Sequence, residues 1–271
     1  MNTSRASAAE QFHALHASGI LLLANAWDAG SARLIESLGA KAIATTSAAV
    51  AWSHGYADGD RLPVKFLLET VAAITRVIRV PLSVDIEGGY SGDPTTVGET
   101  VAAVIDAGAV GINLEDGIAH PDLLCAKIEK VRQAADRTGV NLFVNARTDT
   151  YLRNTVPAER RLEETLARAE RYRSAGASGI FVPGVTDRAA IRELASKVRL
   201  PLNILARAGL PPAAELAALG VRRLSAGSGI AEVLYGKTAV VASAFLQHGA
   251  SGPLADGAMA YAQINALMGA R

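Results

Sequence analysis

Short apolar runs rich in Val, Ile and Leu alternate with longer amphipathic stretches along almost the whole chain. The runs predict eight strands, at Ile20–Asn25, Ala42–Thr46, Leu82–Ile86, Val110–Leu114, Asn141–Ala146, Gly179–Val182, Leu202–Leu205 and Arg222–Ser225. The stretches between them predict helices, at Ser31–Leu38, Leu67–Arg76, Thr95–Asp106, Leu123–Ala135, Ala158–Ser174, Arg188–Lys197, Pro212–Leu219 and Ile230–Gln247. Continuous apolar runs are typical of parallel strands buried on both faces. The alternation therefore predicts an α/β fold.

Eight β–α units favour a (β/α)8 TIM-type barrel, and 271 residues suit one such domain. A doubly wound open sheet would need a glycine-rich turn after the first strand, and 25–30 lacks that spacing. We assign 1–247 to the barrel and 248–271 to a C-terminal loop and helix. That helix, Ala258–Met268, has an apolar stripe that would cover either its own barrel or another subunit.

Composition excludes several classes of protein. The 27 basic and 26 acidic residues are nearly balanced, and no basic face with interleaved aromatic residues indicates nucleic-acid binding. The apolar runs are short and the N-terminus lacks a signal-peptide core, so we expect a cytoplasmic protein and no membrane partner. With Cys125 as the only cysteine, a disulfide framework and a cysteine zinc site are excluded.

Acidic residues follow two neighbouring predicted strands. Asp85 and Glu87 are two positions apart at the end of the third strand, and Glu115 follows the fourth. Active sites of such barrels lie at the carboxyl ends of the strands. Converging carboxylates repel one another unless a cation joins them, and an all-oxygen set suits Mg²⁺ or Mn²⁺. The alternative is that they form structural ion pairs with arginines of the barrel.

Further polar residues lie at the same end of the predicted barrel. Arg147 follows the fifth strand, where it could bind a substrate carboxylate or neutralise Asp149 or Asp116. The second strand is expected to open into a loop running from Thr45 to Asp58. Its small and hydroxyl-bearing residues would let backbone amides approach an oxyanion. Asp58 could act there as a base or positioning carboxylate.

Other chemistries have weaker support. No lysine stands at a strand's C-terminal end, as a Schiff-base aldolase would require. Ala226–Gly229 could bind a phosphate or simply begin the last barrel helix. Cys125 is interpreted as a small core residue. His13, His16 and His248 are expected at the surface.

The chain resembles the isocitrate lyase/phosphoenolpyruvate mutase superfamily over nearly its whole length. The resemblance lies in four segments taken together, Thr45–Asp58, Val84–Tyr90, Leu114–Asp116 and Asn145–Asp149. It implies a (β/α)8 barrel with Mg²⁺ held by Asp85, Glu87 and Glu115, partly through water, and a 2-oxo acid chelating that metal. It also implies a homodimer or homotetramer whose subunits exchange C-terminal helices.

The resemblance assigns roles to further residues. Thr46, Ser47 and Ala48 would contact the oxygen that becomes an enolate, with Ser47 among the catalytic residues. Arg147 would bind a carboxylate, and Asp58 would lie near the reacting carbon. The remaining substrate contacts would be Trp27, after the first strand, and Asn203, on the seventh.

Three differences between this sequence and the motifs of the superfamily narrow the implied activity. The lid motif of the lyases, Lys-Lys/Arg-Cys-Gly-His, is absent from 117–125, and so is the longer lid of the phosphonate-processing members. Pro183-Gly184 stands where lyases often have Pro-Glu. We therefore expect a carbon–carbon lyase, decarboxylase or hydrolase of oxaloacetate-like 2-oxo or 2-hydroxy acids. The alternatives are a phosphonopyruvate hydrolase or mutase, and a non-catalytic Mg²⁺-dependent 2-oxo acid binding protein.

Overall fold

A computed structural model of the chain describes residues 2–269, with side chains from residue 5 onward. Residues 1, 270 and 271, which the predicted domain ranges include, lie outside the described part. The boundary at residue 247 stays a prediction.

The strands form one parallel sheet that closes on itself. β1 pairs with β9, and β2 pairs with β3. Because only Ala24 separates β1 from β2, these two short strands together occupy the first of the eight strand positions of the barrel. The bounds are β1 Leu21–Leu23, β2 Asn25–Ala26, β3 Ile43–Thr45, β4 Leu82–Asp85, β5 Gly111–Glu115, β6 Phe143–Arg147, β7 Gly179–Val182, β8 Leu202–Leu205 and β9 Arg223–Ser225. The predicted barrel and its eight strand positions are confirmed.

The helices follow the strands as predicted, with two additions. Their bounds are α1 Asn2–Ala14, α2 Ala29–Ser37, α3 Ser47–Ser53, α4 Val64–Val77, α5 Pro94–Asp106, α6 Pro121–Thr138, α7 Arg161–Ala175, α8 Arg188–Lys197, α9 Ala213–Ala218, α10 Gly229–His248 and α11 Tyr261–Gly269. Asp28 and Asp93 begin α2 and α5 by accepting hydrogen bonds from first-turn amides. The unpredicted helices are α1 and α3.

Helix α1 covers the amino-terminal end of the barrel. Phe12 is fully buried over Gly111, where a side chain would meet the Phe12 ring at 2.6 Å. The expectation of a surface position is wrong for His16, which is 3% exposed and stacks on Phe143 with ring centroids 4.1 Å apart. Its environment is apolar because the aromatic residues of α1 and β6 meet there.

Helix α10 is almost entirely exposed although it is apolar. By length and composition it is the one described helix that could cross a membrane, with a mean hydropathy of 1.3 over 18 of its residues, of which only 6% are buried. The expectation that all apolar runs are short therefore does not hold for this segment. On the barrel, Leu22 points outward from β1 and is 54% exposed, so no described helix covers the outer face of this strand.

Helix α11 contacts its own barrel. The guanidinium of Arg33 in α2 donates to the carbonyl of Leu267 at 3.3 Å, but most of α11 remains exposed. This contact is the intrachain alternative considered for the segment, and helix exchange between subunits stays a prediction.

Candidate active site

A cavity of about 500 Å³ lies at the carboxyl ends of the strands. Its lining includes Asn25, Thr46, Ser47, Ala48, Asp58, Asp85, Asn113, Arg147, Phe181, Arg207, Ser225, Gly229 and Glu232. Six of the residues predicted for catalysis or substrate binding are therefore brought together, although they come from β4, β6 and the segments that follow β3.

Asp85 ends β4 and lines this cavity. Its Oδ2 accepts hydrogen bonds from the Ser47 amide at 3.4 Å and the Ser47 hydroxyl at 3.2 Å. Burial raises the pKa of the Asp85 carboxyl above its usual range, although Arg147 and the Ser47 amide act to lower it. Asp85 thus has less positive charge around it than an ionised, buried carboxylate requires.

Glu87 lies just past β4 in a left-handed conformation, with φ of 52°. Its Oε2 accepts from the amides of Gly59 and Asp60, while its buried Oε1 has no partner. Burial, together with the nearby charge of Asp58, raises the pKa of Glu87 to about 7, although the Asp60 amide acts to lower it. The loop is fixed from α6, where the Lys127 ammonium donates to the Gly88 carbonyl at 2.6 Å. A buried, unpartnered carboxylate oxygen suits an additional hydrogen-bond donor or cation.

Arg147 is bound by two carboxylates. Its Nη1 lies 2.5 Å from Glu115 Oε2, and its Nε and Nη2 donate to Asp149 at 2.7 and 3.0 Å. Burial raises the pKa of Glu115 to about 8 even though Arg147 lowers it. The alternative of structural ion pairing therefore holds for Glu115, and Arg147 neutralises Asp149 as well as lining the cavity.

A second layer of ion pairs holds this arrangement from outside. Asp116 is buried and accepts from Arg168 at 2.8 Å and from the Tyr172 hydroxyl at 2.6 Å, both on α7. Its other oxygen accepts from the Asp149 amide at 3.0 Å. Helix α7 thereby orients Asp149, and Asp149 orients Arg147.

The expected loop after β3 is wrong in part, because Ser47–Ser53 forms α3. The first-turn amides of a helix have no intrahelical acceptor. Thr46, Ser47 and Ala48 line the cavity, and Asp58 lines it from the segment after α3. The Thr46 amide donates to the Ala26 carbonyl at 3.1 Å and both Ser47 donors bind Asp85, so the Thr46 hydroxyl and the Ala48 amide are the donors left for a ligand.

Two predicted substrate contacts do not line the cavity. Trp27 is partly buried and packs against the barrel core. Asn203 is 1% exposed inside the barrel, where its Oδ1 accepts from the Ser225 hydroxyl at 3.2 Å and its Nδ2 has no partner. Asn203 therefore contacts the cavity lining only through its hydrogen bond with Ser225, which lines the cavity.

The acids do not enclose an ion by themselves. Within residues 2–269, no three His, Cys, Asp or Glu side chains form a ready metal cage. Mg²⁺, however, usually keeps several waters and takes only one or two protein carboxylates. Asp85 lines the cavity of about 500 Å³, whereas Glu87 and Glu115 line a smaller one of about 300 Å³, so a Mg²⁺ ion held by all three acids, partly through water, stays a prediction.

Several polar residues of the site were not identified from the sequence. Asn113 and Arg223 lie inside the barrel, where Arg223 Nη2 donates to Asn113 Oδ1 at 3.3 Å. Polar residues in otherwise apolar strands were the available signal. Arg207 and Glu232, in contrast, follow β8 and β9 in segments that look like an ordinary loop and an ordinary helix start.

The segment between β5 and α6 is only a tight turn. It spans 116–120, and its Ile118 is 84% exposed. Cys125 lies beyond it in α6, partly exposed, and lines neither this cavity nor a smaller one of about 300 Å³ beside the turn. No lid-borne cysteine therefore reaches the site.

Comparisons with known proteins agree with this architecture. Residues 12–247 match the profile of the family described as phosphoenolpyruvate phosphomutase. The chain is 40% identical to an uncharacterized protein of Mycobacterium tuberculosis, covering 80% of this chain and 81% of that protein. It is 32% identical to oxaloacetate decarboxylase of Paraburkholderia xenovorans, covering 76% and 70%. It is 29% identical to 2-methylisocitrate lyase of Escherichia coli, covering 65% and 61%.

Solved structures of similar proteins have the same fold. A candidate phosphonomutase from Burkholderia cenocepacia is 42% identical, with a TM-score of 0.83 over 88% of this chain and 99% of that one. A candidate lyase/mutase from the same organism is 33% identical, with a TM-score of 0.89 over 98% and 97%.

Proposed function

The chain belongs to the phosphoenolpyruvate phosphomutase family, and on that premise we propose that it is a Mg²⁺-dependent enzyme acting on 2-oxo or 2-hydroxy di- or tricarboxylic acids. The reaction we favour is carbon–carbon cleavage, decarboxylation or hydrolysis of an oxaloacetate-like substrate. The observation that carries the proposal is Asp85, a buried carboxylate that lines a polar cavity and accepts a hydrogen bond at 3.4 Å from the amide of Glu87, whose own buried Oε1 has no partner.

The residues present fit a divalent cation. Arg147 and Arg153 form ion pairs with Glu115 and Asp149, and Arg147 and the buried Arg223 also face Asp85. Within the described residues, however, no Lys or Arg side chain forms an ion pair with Asp85 or Glu87. Asp85, Glu87 and Glu115 would hold Mg²⁺, or Mn²⁺ in its place. When bound, the metal supplies positive charge that stabilises negative charge developing on the substrate oxygen.

The chain's own groups would bind and orient the substrate. The Thr46 hydroxyl and the Ala48 amide would donate hydrogen bonds to the substrate oxygen that gains charge, while the Ser47 amide and hydroxyl hold Asp85 in place. Arg147 has a second N–H on Nη1 and on Nη2, with which it could bind a carboxylate. Asp58 would hold or accept a proton near the reacting carbon.

The short turn at 116–120 favours an oxaloacetate-like substrate over isocitrate. The resemblance places the acid that protonates the lyase product on a lid, and Cys125 is outside the cavity. Similarity to oxaloacetate decarboxylase supports the same choice. Losing a general acid typically lowers a rate by about 10²–10⁴-fold, so we expect isocitrate to be cleaved poorly.

A turnover assay with and without Mg²⁺ tests the proposal. We expect Mg²⁺-dependent formation of pyruvate or oxalate from oxaloacetate, and little cleavage of 2-methylisocitrate. Similarity to a candidate phosphonomutase makes phosphonopyruvate the second substrate to test, by ³¹P NMR. Mg²⁺-dependent binding of oxo acids without any turnover would instead indicate a binding protein. The absence of both binding and turnover would contradict the proposal.

We also propose that the protein forms a dimer or tetramer by exchanging helix α10. An apolar helix of 20 residues is exposed, while the outer face of β1 lies uncovered beside a groove of about 620 Å³ lined by Ile20, Leu22, Ile35 and Leu38. A second copy of α10 in this groove would bury both apolar surfaces. The cytoplasmic location stays a prediction.

A further inference from the structure

Arg207 carries a charge at the active-site cavity that no residue of the described chain neutralises. Three acids, Asp58, Asp85 and Glu232, line the cavity together with two arginines, Arg147 and Arg207. The guanidinium nitrogens of Arg147 already donate to Glu115 and Asp149. Among the described residues, no carboxylate oxygen lies within 4.0 Å of the Arg207 guanidinium.

The backbone holds Arg207 at the rim of the cavity. The Ala206 amide donates to the Ser225 carbonyl at 2.8 Å, so the pairing of β8 with β9 continues to the residue before Arg207. The chain then turns, with the Leu210 amide bonded to the Arg207 carbonyl at 3.3 Å. Arg207 is exposed, as expected for an arginine whose head group remains in water until a ligand arrives.

The acid that shares this side of the cavity lining is already engaged. Glu232, in the first turn of α10, accepts a hydrogen bond from the Ser228 hydroxyl at 2.6 Å. It forms no ion pair with Arg207 although both side chains line the same cavity. The guanidinium therefore keeps its donors for an anion inside the cavity.

We propose that Arg207 binds the second carboxylate of the substrate, so that the site selects four-carbon and longer 2-oxo di-acids over pyruvate-like mono-acids. The inference rests on the proposed function, which assigns the 2-oxo acid end of the substrate to the region of Asp85. A cavity of about 500 Å³ has room for a di-acid that extends from Asp85 to the rim. A planar guanidinium can hold the distant carboxylate with two parallel hydrogen bonds.

The test compares wild-type protein with Arg207→Met, Arg207→Lys and the control Arg192→Met, an exposed arginine of α8 that does not line the cavity. For each we would measure the KM for oxaloacetate, or its Kd by calorimetry if no turnover occurs. The inhibition or dissociation constant of oxalate with Mg²⁺ is measured in parallel, because oxalate has the chelating end only.

We expect Arg207→Met to raise the KM or Kd for oxaloacetate about tenfold or more, while the inhibition or dissociation constant of oxalate stays within about twofold of the wild-type value. Arg207→Lys should recover part of the loss, since it keeps the charge but not the fork, and Arg192→Met should behave as wild type. Unchanged oxaloacetate affinity, or equal weakening of oxaloacetate and oxalate, would overturn the role of Arg207. A loss of affinity for phosphonopyruvate alone would also overturn this role, because the distant group bound by Arg207 would then be a phosphonate.

These outcomes separate the inference from the proposed function. If wild-type protein binds oxalate with Mg²⁺ but Arg207→Met binds oxaloacetate normally, only the role of Arg207 fails. If wild-type protein neither binds nor turns over any 2-oxo acid with Mg²⁺, the proposed function fails and the inference fails with it.

Discussion

Arg147 supplies the positive charge shared by Glu115, at the end of β5, and Asp149, two residues past the end of β6. Replacing it with Met leaves Glu115 and Asp149 without their main partner, although Arg153 still contacts Asp149 at 2.7 Å. We expect Arg147→Met to lower the free energy of unfolding by about 3–5 kcal/mol, because a buried charge becomes unpaired. Urea unfolding measures this loss.

Arg153→Met is the matched control for that substitution. The side chain of Arg153 is 46% exposed, so solvent screens its pairing with Asp149 and the expected loss is below about 1 kcal/mol. Equal losses for the two variants would contradict the dominant role assigned to Arg147. A loss of activity in Arg147→Met is interpretable only beside this stability measurement.

His16 makes the stability of the barrel depend on pH. Burial lowers the pKa of His16 to about 3, with Arg223 acting in the same direction. Between pH 6.5 and 3 the unfolded chain binds a proton that the folded chain does not, so stability is full above pH 6.5 and falls by about 1.4 kcal/mol per pH unit below it. We expect His16→Phe, which can keep the stacking on Phe143, to reduce this dependence by about one proton. Urea midpoints between pH 6.5 and 4.5 measure it, and identical slopes for both proteins would contradict the assignment.

The identity of the site's acids could be predicted from the sequence, but their partners could not. Asp85, Glu87 and Glu115 stand at strand ends, and strand ends meet at one edge of a parallel barrel. Whether Arg147 binds Asp149 or a substrate depends on side-chain rotamers. The burial of His16 depends on packing between α1 and β6, which are distant in sequence.

The turn after β7 prevents this chain from carrying the glutamate that lyases often have at position 184. Gly184 has φ of 91°, and a Cβ there would lie 2.8 Å from the Leu152 amide nitrogen in the segment after β6. We expect Gly184→Ala to cost about 2–4 kcal/mol in unfolding free energy, from backbone strain together with the clash.

Gly209→Ala separates the two causes. Gly209 has a similar φ of 89°, but a Cβ added there would have no atom within 4 Å, so only the strain of about 1 kcal/mol is expected. If the two variants lose equal stability, the close approach of Leu152 is not what requires glycine at 184.

The regular elements of the barrel were predictable because each strand is a short apolar run and each long helix is an amphipathic stretch. Helix α3 was not, since Ser47–Ser53 is short and Thr46 provides no side-chain cap. Helix α1 was missed because its packing residues, such as Phe12, are few within a polar segment.

At the scale of the whole molecule, the uncovered strand β1 and the exposed helix α10 predict self-association. We expect wild-type protein to be at least a dimer by light scattering after size-exclusion chromatography. Leu22→Lys should shift it toward the monomer, because a charge would be buried under the partner's helix. Ile118→Lys, at an exposed position on the other end of the barrel, should leave the mass unchanged. A monomeric wild type at micromolar concentration would contradict helix exchange.

Asp85 is the proposed direct ligand of the divalent cation that receives a 2-oxo acid, and the proposed activity depends on this role. Calorimetric titration of oxalate into the Mg²⁺-loaded protein, with wild type and Asp85→Ala compared, tests this most directly. We predict binding by wild type only when Mg²⁺ is present, and a loss of more than about a hundredfold in Asp85→Ala while its thermal unfolding remains cooperative. Oxalate binding that is independent of Mg²⁺, or equal in the two proteins, would contradict the central claim.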